Sequence, residues 1–154
     1  VKVISGGQTG ADIAGLDIAL KHGFETGGTM PFGFKTLDGP KPEYMEKFGV
    51  VPHKSSSYAP RTRANVRNSD GTIRLAFIFD SAGERCTFKA IRDCKKPYID
   101  VDLSDPRPVS EVLAWLRDND IQVLNVAGNA ETTWAGTYEY TCQYLDDLFQ
   151  FWKE

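Results

Sequence analysis

The chain has 154 residues, 41% of them hydrophobic, and a formal net charge of −3. That length suits one domain with a sizeable core, so a single domain over residues 1–154 is expected. Weak acidity argues against a nucleic-acid backbone or an anionic membrane as the main partner, no apolar run reaches the length of a membrane span, and no signal-peptide pattern opens the chain. Cys86, Cys94 and Cys142 fit no zinc spacing and are expected as reduced thiols in a cytoplasmic protein. His22 and His53 belong to no ligand pair, so no protein-ligated metal is expected.

Val1 to Ile4 is an apolar, β-branched run, broken by Ser5-Gly6-Gly7-Gln8-Thr9-Gly10 and followed by a helical pattern in which Ile13, Leu16 and Leu20 face inward. Strand, tight loop and helix in this order make a corner for an anion. Glycines let the backbone approach a ligand, and the first helical turn offers unpaired N–H groups and the positive end of its dipole. Ser5, Gln8 and Thr9 add side-chain donors. The motif is neither a P-loop nor a dinucleotide fingerprint. A tight turn without ligand is the bland alternative. Asp12 suits a helix start and should have a depressed pKa there, but it would repel a close phosphate. A sugar hydroxyl, a base edge or a metal ion would suit it better.

The first helix runs from about Ala11 to His22, closed by Gly23, and Phe24 to Met30 reads as a weak strand. Pro31 to Tyr58 is irregular, punctuated by Pro31, Gly33, Asp38-Gly39-Pro40 and Pro42. Its aromatics, Phe32, Phe34, Tyr44 and Phe48, either pin the loop to the core or stack on a planar ligand. Ala59 to Ser69 reads as a helix that lines up Arg61, Asn65 and Ser69 on one polar stripe. Thr72 to Phe79 follows as a buried strand, apolar apart from Arg74, then a loop from Asp80, and a helix over Thr87 to Lys95. Pro97 to Val101 and Ile121 to Ala127 read as strands, Val109 to Leu116 as an amphipathic helix, and Thr137 to Trp152 as a last helix with Tyr138, Cys142, Leu145, Phe149 and Trp152 inward.

Strands alternating with helices predict an α/β, Rossmann-like three-layer sandwich around a mostly parallel sheet. Ligands in such folds sit beyond the C-terminal strand ends. Three strands run into polar, glycine-bearing loops there: Ser5 to Gly10, Asp80 to Glu84, and Asn125 to Asn129. These loops are expected to share one pocket. Gly7→Val is then expected to abolish binding while leaving the fold mostly intact.

The stretch Ile4-Ser5-Gly6-Gly7-Gln8-Thr9-Gly10-Ala11-Asp12 through Asp17 resembles the opening signature of the circularly permuted YpsA-like branch of the SLOG superfamily, often labelled molybdenum carriers. Gly27-Gly28, Pro31-x-Gly33, Tyr58, Arg61-Thr62-x-x-Asn65-Val66-x-x-Ser69-Asp70-Gly71-Thr72 and Leu124-Asn125-Val126-Ala127-Gly128 resemble its middle and end. The resemblance implies a Rossmann-like fold and a pocket for a phosphorylated or nucleotide-like ligand, with molybdenum cofactor as the inherited suggestion. This chain departs from the pattern at Ser81-Ala82-Gly83-Glu84-Arg85-Cys86-Thr87, where similar proteins carry two glycines and a threonine. It departs again at Gly128-Asn129-Ala130-Glu131-Thr132, where they carry a proline and an arginine; Arg61 or Arg85 would have to substitute.

The expected function is therefore a binding or carrier protein for a small phosphorylated heterocycle of pterin or nucleotide type, in a homo-oligomer. Its expected ligand-contacting residues are Ser5, Gly6, Gly7, Gln8, Thr9, Gly10, Arg61, Asn65, Ser69, Ser81, Gly83, Thr87, Asn125 and Gly128. Molybdenum cofactor holds its metal on its own dithiolene sulfurs, so a carrier needs phosphate donors and pterin partners rather than metal ligands. The alternatives are a nucleotide N-glycosidic hydrolase, with Asp80 and Glu84 as candidate acid or base, and a nucleotide sensor. The glycine-rich catalytic motif of the hydrolytic relatives has no match here, and capping or turn chemistry also accounts for these carboxylates.

Overall fold

The computed structural model describes residues 1–154. In chain order the elements are β1 (Lys2–Ile4), α1 (Ala11–Lys21), β2 (Glu25–Met30), α2 (Tyr44–Phe48), β3 (Val50–Pro52), α3 (Tyr58–Arg67), β4 (Gly71–Ala76), α4 (Ala82–Cys94), β5 (Tyr98–Asp102), α5 (Val109–Asp118), β6 (Val123–Gly128) and α6 (Thr137–Trp152). The six strands form one sheet in the order β3-β2-β1-β6-β4-β5, and every pairing is parallel.

Handedness fixes the layers. Crossovers between parallel strands are right-handed, so connections that step in opposite directions along the sheet lie on opposite faces. The links through α1 and α5 step one way, and those through α3 and α4 step the other. Accordingly α6 packs on both α1 and α5, while α3 packs on α4. The larger core joins Val3, Ile73, Leu75, Val101, Leu124 and Val126 of the sheet to Ala19, Val112, Leu116, Leu145, Leu148 and Phe149 of the helices. A smaller one between α3 and α4 holds Val66, Ala90 and Ile91. All of β4 is buried, as an inner strand covered on both faces must be.

Several elements differ from their expected form. The segment from Pro31 to Tyr58 is not irregular throughout. It contains α2 and the edge strand β3, and Phe34, Phe48 and Val50 pack with Leu16 and Met30 in a core of their own. Phe32 stays exposed and does not pin the loop. Helix α4 begins at Ala82, five residues before the expected Thr87, because Ser81 caps it by accepting from the Glu84 N–H at 3.3 Å. Leu20 and Tyr138 point outward. Leu16 is buried as expected, and, Asp12 apart, the rest of the buried face of α1 is made of Ala11, Ala14, Gly15 and Ala19, small residues that bring the helix close to the sheet.

Candidate functional site

Strands β1, β6 and β4 are neighbours, so the loops that leave their C-terminal ends emerge side by side. Together with α3 they enclose a cavity of about 270 Å³. Of the residues expected to touch a ligand, Gly6, Gln8, Arg61, Asn65, Ser81, Gly83, Thr87, Asn125 and Gly128 line it, as does Glu84. Ser5, Gly7, Thr9, Gly10, Ser69 and Asp80 do not.

Each absentee has a structural reason. Ser5 is fully buried, and its hydroxyl donates to the Asp12 carbonyl at 3.0 Å while accepting from the Gly7 N–H. Ser69 lies outside α3, just past its C-cap Asn68 and away from Arg61 in the first turn, where its hydroxyl donates to the Val66 carbonyl. Asp80 is exposed and gives its carbonyl to Arg85, which does not line the cavity either. Gly7, Thr9 and Gly10 face the opposite side of the loop, toward a wider surface cavity of about 530 Å³ shared with Lys41, Tyr44 and Tyr138. Gly7 has φ 68°, and a Cβ on it would stand 2.9 Å from the Met30 sulfur in the core. Gly7→Val would therefore damage packing and backbone rather than fill ligand space, contrary to expectation.

The anion corner at the start of α1 is largely closed by the protein itself. The Ala11 N–H donates to the Asn129 carbonyl at 3.0 Å, and the Gln8 N–H donates to Asp12 Oδ2 at 3.3 Å. The same carboxylate oxygen accepts from Arg61 Nη1 at 3.3 Å. Gly6 makes that meeting possible, because a Cβ there would lie 2.7 Å from Arg61 Cζ. Asp12 departs from the depressed pKa expected at a helix start. Burial raises it to about 6, outweighing the pull of Arg61 and the bond from Gln8.

Glu84 lies in the first turn of α4 and is 2% exposed. Burial raises its pKa to about 7, more than Arg74 can offset, and the charge of Asp12 adds to the rise. Arg74 Nη1 stands 4.0 Å from Glu84 Oε1, beyond hydrogen-bond range, and that oxygen has no partner. Arg74 is committed elsewhere, holding Asp100 through Nε and Nη2 at 2.7 Å each, with its guanidinium over Phe79, Phe88 and Tyr98. Arg61 likewise keeps a buried Nε without a partner.

The polar stripe of α3 serves two purposes. Arg61 faces the cavity over the Tyr58 ring. Asn65, although it lines the cavity, spends its amide on β2, accepting from the Thr29 N–H at 2.8 Å and donating to the Thr29 carbonyl at 2.9 Å. Asn125 donates to Thr72 Oγ1 at 3.2 Å. Two residues outside the expected set organise the site. Arg74 was visible as the one charge in an apolar strand, a sign of a buried ion pair. Asn129, at a glycine-marked strand end, ties the β4 and β6 loops together. No group of three or more His, Cys, Asp or Glu side chains is gathered for a metal ion, and no helix is long and apolar enough to cross a membrane.

Among curated proteins, none matches the chain. A crystal structure of a protein from Syntrophus aciditrophicus SB, described as a "Putative molybdenum carrier protein", is 34% identical with a TM-score of 0.86, over 96% of this chain and 93% of that one. The profile of the "Circularly permutated YpsA SLOG family" matches residues 3–149. That match spans nearly the whole sequence and the sheet that carries the cavity, so the chain belongs to the circularly permutated YpsA SLOG family.

Proposed function

We propose that the cavity binds a small phosphorylated heterocycle and that the protein acts as its carrier. One observation carries this reading: a single cavity gathers the first turn of α4 and one guanidinium, together with two deeply buried carboxyls. The α4 turn (Ser81, Ala82 and Gly83) supplies backbone N–H groups and the positive helix end for a phosphate. Arg61 is the only cationic residue of the lining. Asp12 and Glu84 are acceptors for a ring. The α4 turn thus takes the phosphate role that the sequence suggested for the β1 loop. A volume of about 270 Å³ suits one ring system and its phosphate arm rather than a dinucleotide. Molybdenum cofactor as cargo fits the donor set, since its metal rides on its own sulfurs. Similarity to a protein described as a molybdenum carrier supports the same assignment.

Calorimetry with nucleoside monophosphates and the matching nucleosides tests the reading. The phosphorylated forms should bind distinctly tighter, and Arg61→Lys should weaken them more than the nucleosides, because lysine copies a bidentate guanidinium poorly. Equal affinity for both forms in the parent protein would remove the phosphate from the proposal.

A second reading rests on the two carboxyls themselves. Asp12 and Glu84, raised to about 6 and about 7, are poised near neutrality in one cavity, as an acid and base for cleaving an N-glycosidic bond would be. Sustained release of free base, lost in Glu84→Gln and kept in Asp80→Asn, would replace the carrier by a hydrolase.

A further inference from the structure

The balance of charge inside the cavity restricts which ring it can hold. Its lining carries two carboxyls, Asp12 and Glu84, against one guanidinium, and that guanidinium already serves Asp12 at 3.3 Å. Glu84 is left with an unpartnered carboxylate oxygen at 2% exposure, its nearest cation 4.0 Å away and held by Asp100. A buried acceptor without a donor is costly, so the complementary ligand supplies N–H groups rather than carbonyl oxygens to this wall. A ring N–H next to an exocyclic amino group forms a fork, which a carboxylate accepts with both oxygens, much as it accepts a guanidinium. A phosphate against the same wall would be repelled, so the ring lies inward and the phosphate outward, at the α4 turn where Gly83 is exposed.

Resting on the binding reading above, we infer that the ligand is a phosphorylated 2-amino-4-oxo heterocycle, of guanine or pterin type, read along its amino edge by Glu84 and Asp12. Hypoxanthine keeps the ring N–H but loses the amino half of the fork. Adenine turns a ring acceptor toward the carboxylates.

Calorimetry at pH 8, with GMP, IMP, AMP, guanosine and neopterin phosphate, decides the matter. GMP or neopterin phosphate should bind at least about tenfold tighter than IMP, since a site built to pair an amino group rejects the analogue lacking it. The tighter of the two identifies nucleotide or pterin as the source of the edge. Glu84→Gln should bring GMP and IMP to within about threefold while leaving the GMP-over-guanosine preference in place, since Gln pairs only part of the fork. Equal affinities for GMP, IMP and AMP in the parent protein, with the phosphate preference intact, would overturn the edge reading and leave the carrier reading standing. Failure of every phosphorylated probe to bind would take down both. The parent-protein comparison decides even if the variant does not fold.

Discussion

Asn129 shows how one side chain can shape a cavity that it does not line. Its Oδ1 accepts from the N–H groups of Phe77 and Ile78 at 2.8 and 3.2 Å, and its Nδ2 donates to the Ile78 carbonyl at 2.9 Å. Its own carbonyl receives the Ala11 N–H, so the ends of β4 and β6 and the start of α1 meet on one residue. Asn129→Ala strands two backbone donors and an acceptor where the side chain is 1% exposed. We expect a loss of about 2–4 kcal/mol in urea unfolding, and weaker binding because the loops part. Arg74 is the second such residue. Arg74→Ala would leave Asp100 and Glu84 without their cation and should cost about 3–5 kcal/mol, whereas an unchanged unfolding midpoint would mean that the buried pair is idle.

Among the elements, α4 connects sequence to site most directly. Ser81→Ala removes its N-cap and should cost about 1 kcal/mol. Gly83→Ala should do the reverse. A Cβ there meets nothing within 4 Å and the residue is helical, so alanine should add a few tenths to about 1 kcal/mol of stability. If a phosphate rests on this turn, the same variant should bind it less well. Gain of stability with unchanged affinity would move the phosphate elsewhere. The start of α4 was also the least legible boundary in the sequence, because Ala82-Gly83-Glu84 after Asp80 reads as a loop until Ser81 is recognised as a cap. The alternation of the other five strands with helices, the last helix and the meeting of three strand-end loops were all legible, since β-branched runs and helical periodicity are local signals. The edge strand β3 was not. Val-Val-Pro is too short to show alternation and ends in a proline, and only pairing with Gly28, Thr29 and Met30 makes it a strand. Nor could sequence say which side of the glycine loop faces the cavity. Gly6 and Gln8 face it and Gly7 and Thr9 face away, a division set by Met30 and Arg61 from distant parts of the chain.

For the whole molecule, the carboxyls set the sign of the response to pH. Asp12 and Glu84 titrate at about 6 and about 7, against ordinary values of 3.8 and 4.5. A carboxyl raised on folding holds its proton more tightly in the native state, so between these limits the folded chain binds more protons than the unfolded one. Their contribution to stability is present below about pH 4 and is lost as pH rises through 6 and 7. Asp102 and Asp146, lowered by Ser104 and by His22 with Lys21, act in the other direction and only on the acid side of 3.8. The melting temperature of the free protein should therefore fall by several degrees from pH 5 to pH 8, and Glu84→Gln should flatten that fall. Ligand binding runs against it. A ring that donates N–H groups to the ionised carboxylates binds more tightly as they lose their protons, and a tighter ligand stabilises more at a fixed concentration. The increase in melting temperature produced by saturating GMP or neopterin phosphate should thus grow from pH 5 to pH 8, while the free protein weakens. An increment that stays constant across that range would show that the ligand does not touch Asp12 or Glu84, whatever holds its phosphate.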